Sequence, residues 1–125
     1  MAKLKKKSKH VLWFFDFVYC QEICVIFAPT HSKFVQLAKK ETGFDVEKAD
    51  GISGEFHGLN TKKGGSLALV WSSDKDANLM HEMFHVCSWV LRNRGIYLTE
   101  ESEESYAYYL TYLVRTAKEY IKGGE

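Results

Sequence analysis

The sequence predicts a single α+β domain, and three observations support this prediction. Positions 11–28 are dense in β-branched and aromatic residues, a composition typical of strands. Positions 76–93 and 99–121 carry apolar residues at helical spacing, which favours two long helices. The chain of 125 residues, 46% of them hydrophobic, is long enough to bury one core and too apolar to remain disordered.

The charge balance excludes classes of protein that depend on a strong overall field. Lys and Arg number 17 and Asp and Glu 16, which gives a formal net charge of +1. Nothing in this balance requires a nucleic-acid partner or an anionic membrane. The apolar run at 11–15 stops at Asp16, far short of the roughly 18 apolar residues that cross a bilayer, so we expect neither a membrane span nor a secretion signal.

Five lysines crowd the first ten positions. We interpret residues 1–10 as a basic N-terminal tail that keeps the protein in solution, and residues 11–125 as the domain. This basic tail is the one feature of the sequence that would favour binding to nucleic acid, but we expect no nucleic-acid partner.

Cys20 and Cys24 would lie roughly 13 Å apart on a strand, too far for a disulfide. Unpaired cysteines favour a reducing, cytoplasmic location.

The first elements can be placed in chain order. Residues 11–28 form two strands or one long bulged strand, and the sheet begins there. Thr30 can cap a helix that runs to about Lys40 and ends at Gly43. A looser, glycine-rich stretch follows, and the alternation of apolar residues from Ser66 to Trp71 predicts a further strand.

Two helices complete the domain. The first runs from about Asp76 to Asn93, and Gly95 is well placed to stop it. Thr99 can cap the second helix, whose early acidic residues suit the positive end of its dipole.

The first of these helices carries His81-Glu82-Met83-Phe84-His85, an H-E-x-x-H motif. Residues four apart lie one turn above each other, so both imidazoles can bind one metal ion. Glu82 lies beside them, where its carboxylate can act as general base toward a water on the metal. A second interpretation stays open, because His81 and His85 project opposite the apolar stripe, as residues of a solvated face do.

A catalytic zinc site usually has three protein ligands. No histidine follows His85, and acidic residues cluster where the second helix begins, at Glu100, Glu101, Glu103 and Glu104. The first helix runs about 12 Å beyond His85, and an antiparallel second helix returns about 7 Å, which brings Glu103 or Glu104 near the metal. Glu103 projects onto the apolar stripe and Glu104 away from it, so we expect Glu104 to face the same cleft as the histidines.

This combination resembles a known family. His81-Glu82-x-x-His85, followed 19 residues later by Glu104-Ser105-Tyr106-Ala107, is similar to the gluzincin metallopeptidases, whose third ligand opens an E-x-x-A or E-x-x-S segment on the next helix. More narrowly, the span from Phe27-Ala28-Pro29-Thr30 through Gly64-Gly65 to the second helix is similar to small peptidases encoded by tailed bacteriophages.

The resemblance implies a Zn²⁺ ion bound by His81, His85 and Glu104, with Glu82 as the catalytic base. It also implies a small antiparallel or mixed sheet packed on a zincin-like pair of helices, with the edge strand, Ser66 to Trp71, holding an extended peptide. A phage origin would place the protein in the host-cell cytoplasm or in the virion.

Two departures from the family pattern bear on activity. Tyr108 stands where many gluzincins carry an acidic residue that orients the first histidine. The chain has no distal histidine to stabilise an oxyanion, and the residues that could substitute are Tyr97, Tyr106, Tyr109 and His57.

We therefore expect a zinc-dependent peptidase that acts on a peptide or protein substrate. The alternative is a non-catalytic zincin-like structural or interaction protein of a phage, in which zinc staples the two helices together. Glu82 favours the enzyme, because a purely structural site does not require it, whereas the missing oxyanion residue favours the alternative. The sequence carries no signal of oligomeric state.

Overall fold

The structure is a computed structural model, and it describes residues 1–61 and 64–123. Within this range a mixed five-stranded sheet and three helices form the protein, which confirms the predicted α+β class. The elements in chain order are β1 (Ala2–Lys7), β2 (Val11–Asp16), β3 (Gln21–Phe27), α1 (His31–Thr42), β4 (Gly54–Asn60), β5 (Ser66–Ser72), α2 (Ala77–Asn93) and α3 (Glu103–Gly123).

The strands lie in the order β1-β2-β3-β5-β4. The first three form an antiparallel meander, so residues 11–28 hold two strands joined by a turn, the first of the two arrangements the sequence allows. β3 and β5 run parallel, with Ile23 opposite Ala68. β4 pairs with β5 in the antiparallel direction and lies at one edge of the sheet.

Alternation along the central strands gives the sheet two apolar faces. Ile23 and Val25 of β3 belong to a buried cluster with residues of α2 and α3. Cys24 and Ile26 point the other way and pack in a second cluster with Phe34 of α1. The sheet is therefore the middle of three layers, with α1 on one face and the α2–α3 pair on the other.

The ends of α1 and α2 follow the sequence prediction. The backbone N–H of Lys33 donates to the Thr30 side chain over 3.2 Å, and the helix ends at Gly43, whose φ of 77° is left-handed. α2 spans Ala77–Asn93, and the N–H of Gly95, at φ 79°, donates to the carbonyl of Arg92 over 2.9 Å. Both glycines adopt a conformation that costs other residues free energy.

α3 begins at Glu103 rather than after Thr99. Residues 99–102 instead form a turn, in which the N–H of Ser102 donates to the Thr99 carbonyl over 3.2 Å. The Ser102 hydroxyl donates to the carbonyl of Tyr97, and the Thr99 hydroxyl accepts from the N–H of Ser102 over 3.3 Å, so both side chains form hydrogen bonds within this loop. α3 has 21 residues. No helix in the described ranges has both the length and the apolar character needed to cross a membrane.

The predicted N-terminal tail over residues 1–10 is wrong, because residues 2–7 form the edge strand β1, paired with β2. Three of its lysines have partners inside the protein. Lys5 and Lys6 bind Glu22 and Glu41 at 2.9 and 2.8 Å, and Lys7 donates to two carbonyls at the end of α3. Lysine is depleted in strands in general, but at a sheet edge it is favoured because it deters pairing with another chain.

The prediction that Ser66 to Trp71 is the edge strand is also wrong. That segment, β5, lies between β3 and β4. Its residues Ala68 and Val70 are buried on the face opposite Leu69 and Trp71, the pattern of a strand covered on both sides. The edge beside α2 is β4, whose two glycines weaken the strand signal in the sequence.

Candidate metal centre

α2 brings three potential metal-binding side chains together. One ligand atom from each of His81, Glu82 and His85 lies within 4.8 Å of the others. Within residues 1–61 and 64–123, no other group of three or more His, Cys, Asp or Glu side chains brings its ligand atoms this close together. The two imidazole rings lie one helical turn apart, with centroids separated by 5.0 Å.

The packing of α2 determines where these side chains lie. Leu79, Met83 and Val86 are fully buried against the sheet and α3. His81 and His85 lie on the exposed side of the helix, as a solvated face would also place them. Glu82 differs from both, because only 6% of its surface is exposed. A buried carboxylate beside two exposed imidazoles is not expected of a merely solvated face.

Glu82 is buried against the edge strand β4. A Cβ atom on Gly54 would lie 2.6 Å from Glu82 Oε2, so only a glycine leaves room for the carboxylate there. The Nε2 atom of His81 lies 3.8 Å from Oε2, beyond hydrogen-bond distance. β4 and α2 therefore enclose the carboxylate.

Burial raises the pKa of the Glu82 carboxyl above its usual range. The neighbouring His81 and His85 lower that pKa, and the carboxylate of Glu55 on β4 raises it, but desolvation is the largest cause. A raised pKa makes the ionised carboxylate a stronger base than one in water. Glu82 therefore has the properties of a proton acceptor.

Aromatic rings support His85 from the side of β4. The ring of Phe56 stacks on that of His85 with centroids 6.5 Å apart, and it meets the indole of Trp89 edge-on at 5.6 Å. Gly58 lies against the same indole, since a Cβ there would come within 2.4 Å of Trp89 Cε2. The two glycines of β4 thus allow α2 to pack closely on this strand.

The third metal ligand, expected to be Glu104, stays a prediction. Glu103 and Glu104 both lie in the first turn of α3 and are exposed. Neither belongs to the compact group formed by the H-E-x-x-H residues. Glu100 and Glu101 lie in the turn before α3.

Two of the tyrosines that could stabilise an oxyanion are engaged elsewhere. The hydroxyl of Tyr106 donates to the carbonyl of Ile96 over 2.7 Å, and that of Tyr109 donates to the buried carboxylate of Asp16 over 2.5 Å. Tyr97 and Tyr108 are exposed.

Sequence reasoning missed a hydrogen-bonded network on the opposite face of β4. Glu55 accepts from His31 Nε2 over 3.1 Å, and its other oxygen contacts His57 Nε2. His31 Nδ1 accepts the N–H of Ala49 over 3.3 Å, so the proton of a neutral ring is on Nε2. The only sequence signal was the i, i+2 spacing of Glu55 and His57, which puts both on one face of a strand.

This network links α1, the loop before β4 and β4 itself. The ring of His31 lies 5.3 Å from that of Trp71, and that of Phe34 stacks on Trp71 at 5.6 Å. Both oxygens of Glu55 have imidazole partners, so the group is satisfied without a further ligand. His57 therefore holds β4 in place and is directed away from the α2 side of the strand.

The side chains at the α2 centre fit zinc by their chemistry. Neutral imidazole nitrogens and carboxylate oxygens are both common zinc ligands, and helical i, i+4 spacing suits a single ion. A comparison with protein-family models, curated proteins and solved structures finds no match to this chain.

Proposed function

We propose that this protein is a zinc-dependent peptidase. The observation that carries the proposal is the buried carboxylate of Glu82, which lies within 4.8 Å of the ligand atoms of two exposed histidines and against an edge strand. In this proposal His81, His85 and Glu104 hold Zn²⁺. When bound, the zinc supplies Lewis-acid chemistry, which polarises a carbonyl group and makes water more acidic.

Glu82 moves the proton in this reaction. Its carboxylate accepts a proton from the attacking water and later donates it to the departing amine, so that one group serves as base and then as acid. The burial that raises its pKa supports both roles. A group that acts as both base and acid works best when its pKa lies near the working pH, and burial moves the pKa of Glu82 in that direction.

The edge strand β4 supports an extended peptide as the substrate. An edge strand has backbone N–H and C=O groups on its outer side that can pair with another strand. β4 (Gly-Glu-Phe-His-Gly-Leu-Asn) contains no lysine, in contrast to the opposite edge strand β1. A peptide added to β4 would run past Gly54, against which the Glu82 carboxylate lies.

The alternative function is non-catalytic, with zinc joining α2 and α3. The observation in its favour is that the hydroxyls of Tyr106 and Tyr109 both have structural partners. Neither is therefore available to stabilise an oxyanion, a contribution that is often large in acyl transfer.

The peptidase activity of the Glu82→Gln variant distinguishes the two functions. Gln retains the size of the side chain but cannot accept a proton, so we expect zinc content to remain near wild type while cleavage of a peptide library, followed by mass spectrometry, disappears. The matched control is Glu100→Gln, which removes a carboxylate from the exposed turn before α3 and should cleave as wild type does. Equal cleavage by wild type and Glu82→Gln would refute the proposed base.

A parallel pair of variants tests the third ligand. We expect Glu104→Ala to lose zinc and Glu103→Ala to retain it, with the metal measured by elemental analysis after dialysis. Loss of zinc in Glu103→Ala alone would transfer the ligand role to Glu103. Full zinc content in both variants would remove α3 from the metal centre.

A further inference from the structure

The two central parallel strands end at a change of direction in the chain. β3 and β5 are neighbours, with Phe27 opposite Ser72 at their carboxyl ends. After β3 the chain enters α1 on one face of the sheet, and after β5 it enters α2 on the other face. In sheets of this kind, the point where successive connections leave in opposite directions opens a crevice that often binds ligands.

Two adjoining cavities occupy this end of the sheet. One, of about 420 Å³, lies between the β1–β2 turn, the end of β3 and the end of α3. The other, of about 260 Å³, lies between Ala28-Pro29 and Ser73-Asp74, the residues that follow β3 and β5. Lys9, Phe27 and Lys75 line both cavities. The larger is within the size range of sites for small organic ligands.

The charged side chains that line these cavities are Lys7, Lys9, Lys75 and Asp74, so the walls carry a net positive charge. Lys7 is already engaged, because its Nζ donates to the carbonyls of Tyr120 and Ile121, each over 2.7 Å. Lys9 and Lys75 form no ion pair with any carboxylate of the described residues. The Nζ of Lys75 lies 5.5 Å from the ring centroid of Phe27, which fixes this ammonium group above the cavity wall.

The single carboxylate of these walls offsets only part of the positive charge. Asp74 is the acidic residue of the wall, and it caps α2 by accepting from the N–H of Asn78 over 3.1 Å and from its Nδ2 over 2.9 Å. His10 Nδ1 donates to the carbonyl of Phe27 over 2.9 Å, since a carbonyl can only accept. This bond orients the His10 ring, and in the neutral ring it leaves Nε2 as a hydrogen-bond acceptor.

We propose that this crevice binds a phosphomonoester with an apolar body, of about the size of a nucleoside monophosphate. The phosphate lies between the ammonium groups of Lys9 and Lys75. A phosphate dianion has the charge and the outer oxygens to accept hydrogen bonds from both ammonium groups. Val11, Leu12 and Ile121 supply the apolar wall for the rest of the ligand. This site does not depend on the metal centre or on peptidase activity.

Calorimetric titration of the full chain with adenosine 5′-monophosphate tests the proposal. We expect saturable binding that is at least about tenfold tighter than that of adenosine, because charge-assisted hydrogen bonds to the phosphate are lost in the nucleoside. Benzoate serves as a carboxylate probe and should bind more weakly than the monophosphate. The affinity for the monophosphate should also fall as salt is raised.

Single substitutions locate the binding site. Lys9→Gln and Lys75→Gln should each weaken binding of the monophosphate by about tenfold. Lys48→Gln removes the same charge from an exposed position in the segment before β4, and it should leave the affinity unchanged. Equal affinity for adenosine and its monophosphate, or unchanged affinity in both Lys9→Gln and Lys75→Gln, would overturn the proposal. Tighter binding of benzoate, or binding only to an oligonucleotide, would overturn it as well.

Discussion

The carboxylate of Glu82 lies against the backbone of Gly54, so closely that a Cβ atom there would come within 2.6 Å of Oε2. This relationship connects the edge strand, which the proposal assigns to substrate, with the proposed catalytic base. It also explains how a carboxylate on a helix next to two exposed histidines becomes buried. The strand that buries it would be the strand that the peptide joins.

Gly54→Ala should disturb this contact and the chemistry together. The added methyl group must displace the Glu82 side chain or the strand, so we expect a loss of about 1–3 kcal/mol in the free energy of unfolding and a loss of peptide hydrolysis. The matched control is Gly58→Ala, because a Cβ there would come within 2.4 Å of Trp89 rather than near Glu82. Chemical denaturation and the peptide assay measure both effects. Similar stability losses with hydrolysis equally reduced in both variants would contradict a specific role for Gly54.

Removal of residues 1–7 should destabilise the protein. β1 pairs with β2, Lys7 caps the end of α3, and the Met1 carbonyl accepts from the Tyr112 hydroxyl over 2.7 Å. Since each ladder hydrogen bond contributes about 1 kcal/mol net, we expect the deletion to lower the free energy of unfolding by at least about 2 kcal/mol.

The control for this deletion is Lys3→Gln, which removes a charge and keeps the strand. Its melting temperature should remain close to that of wild type. A truncated protein that unfolds at the same temperature as wild type would show that residues 1–7 behave as a tail after all.

The Lys6–Glu41 ion pair should make stability depend on pH. Burial acts to raise the pKa of Glu41, but hydrogen bonds from Lys6 and Trp13 outweigh it and hold that pKa below its usual range. The unfolded carboxyl takes up its proton near pH 4.3, so the stabilisation is present above about this pH and is lost as the pH falls through the lower folded value. Glu41→Gln should therefore be less stable than wild type at neutral pH.

Urea unfolding of both proteins, from about pH 2.5 to pH 7, measures this difference. We expect the gap in the free energy of unfolding to close toward the acidic end. Glu47→Gln, at an exposed position, is the control and should show no such trend. A gap between Glu41→Gln and wild type that stays constant over the whole range would contradict the ion pair.

The parts of the fold that follow from local signals were predictable. Thr30 and Gly43 bound α1 because a cap side chain and a left-handed glycine act through their immediate neighbours. The apolar residues of α2 recur at helical spacing because one side of this helix is buried. The same spacing puts His81 and His85 on one exposed face. These features depend on residues within a turn or two of each other.

The features that the sequence did not reveal depend on distant partners. From the sequence alone, the lysines of β1 suggest a solvated tail. Their partners Glu22 and Glu41 are distant in the chain and lie beside them only in the folded protein. The edge position of β4 follows from the pairing of the whole sheet. The burial of Glu82 requires Gly54, which lies on another element and has no side chain to indicate the contact.

Zinc binding by the α2 histidines tests the central claim most directly. Protein freed of metal with a chelator and then titrated with zinc should bind close to one ion per chain, and His81→Ala or His85→Ala should weaken that binding at least about a hundredfold. His10→Asn, which removes an imidazole outside α2 and keeps a donor for the Phe27 carbonyl, should bind as wild type does. Absence of zinc uptake by wild type, or equal uptake by the two α2 variants, would contradict the metal centre.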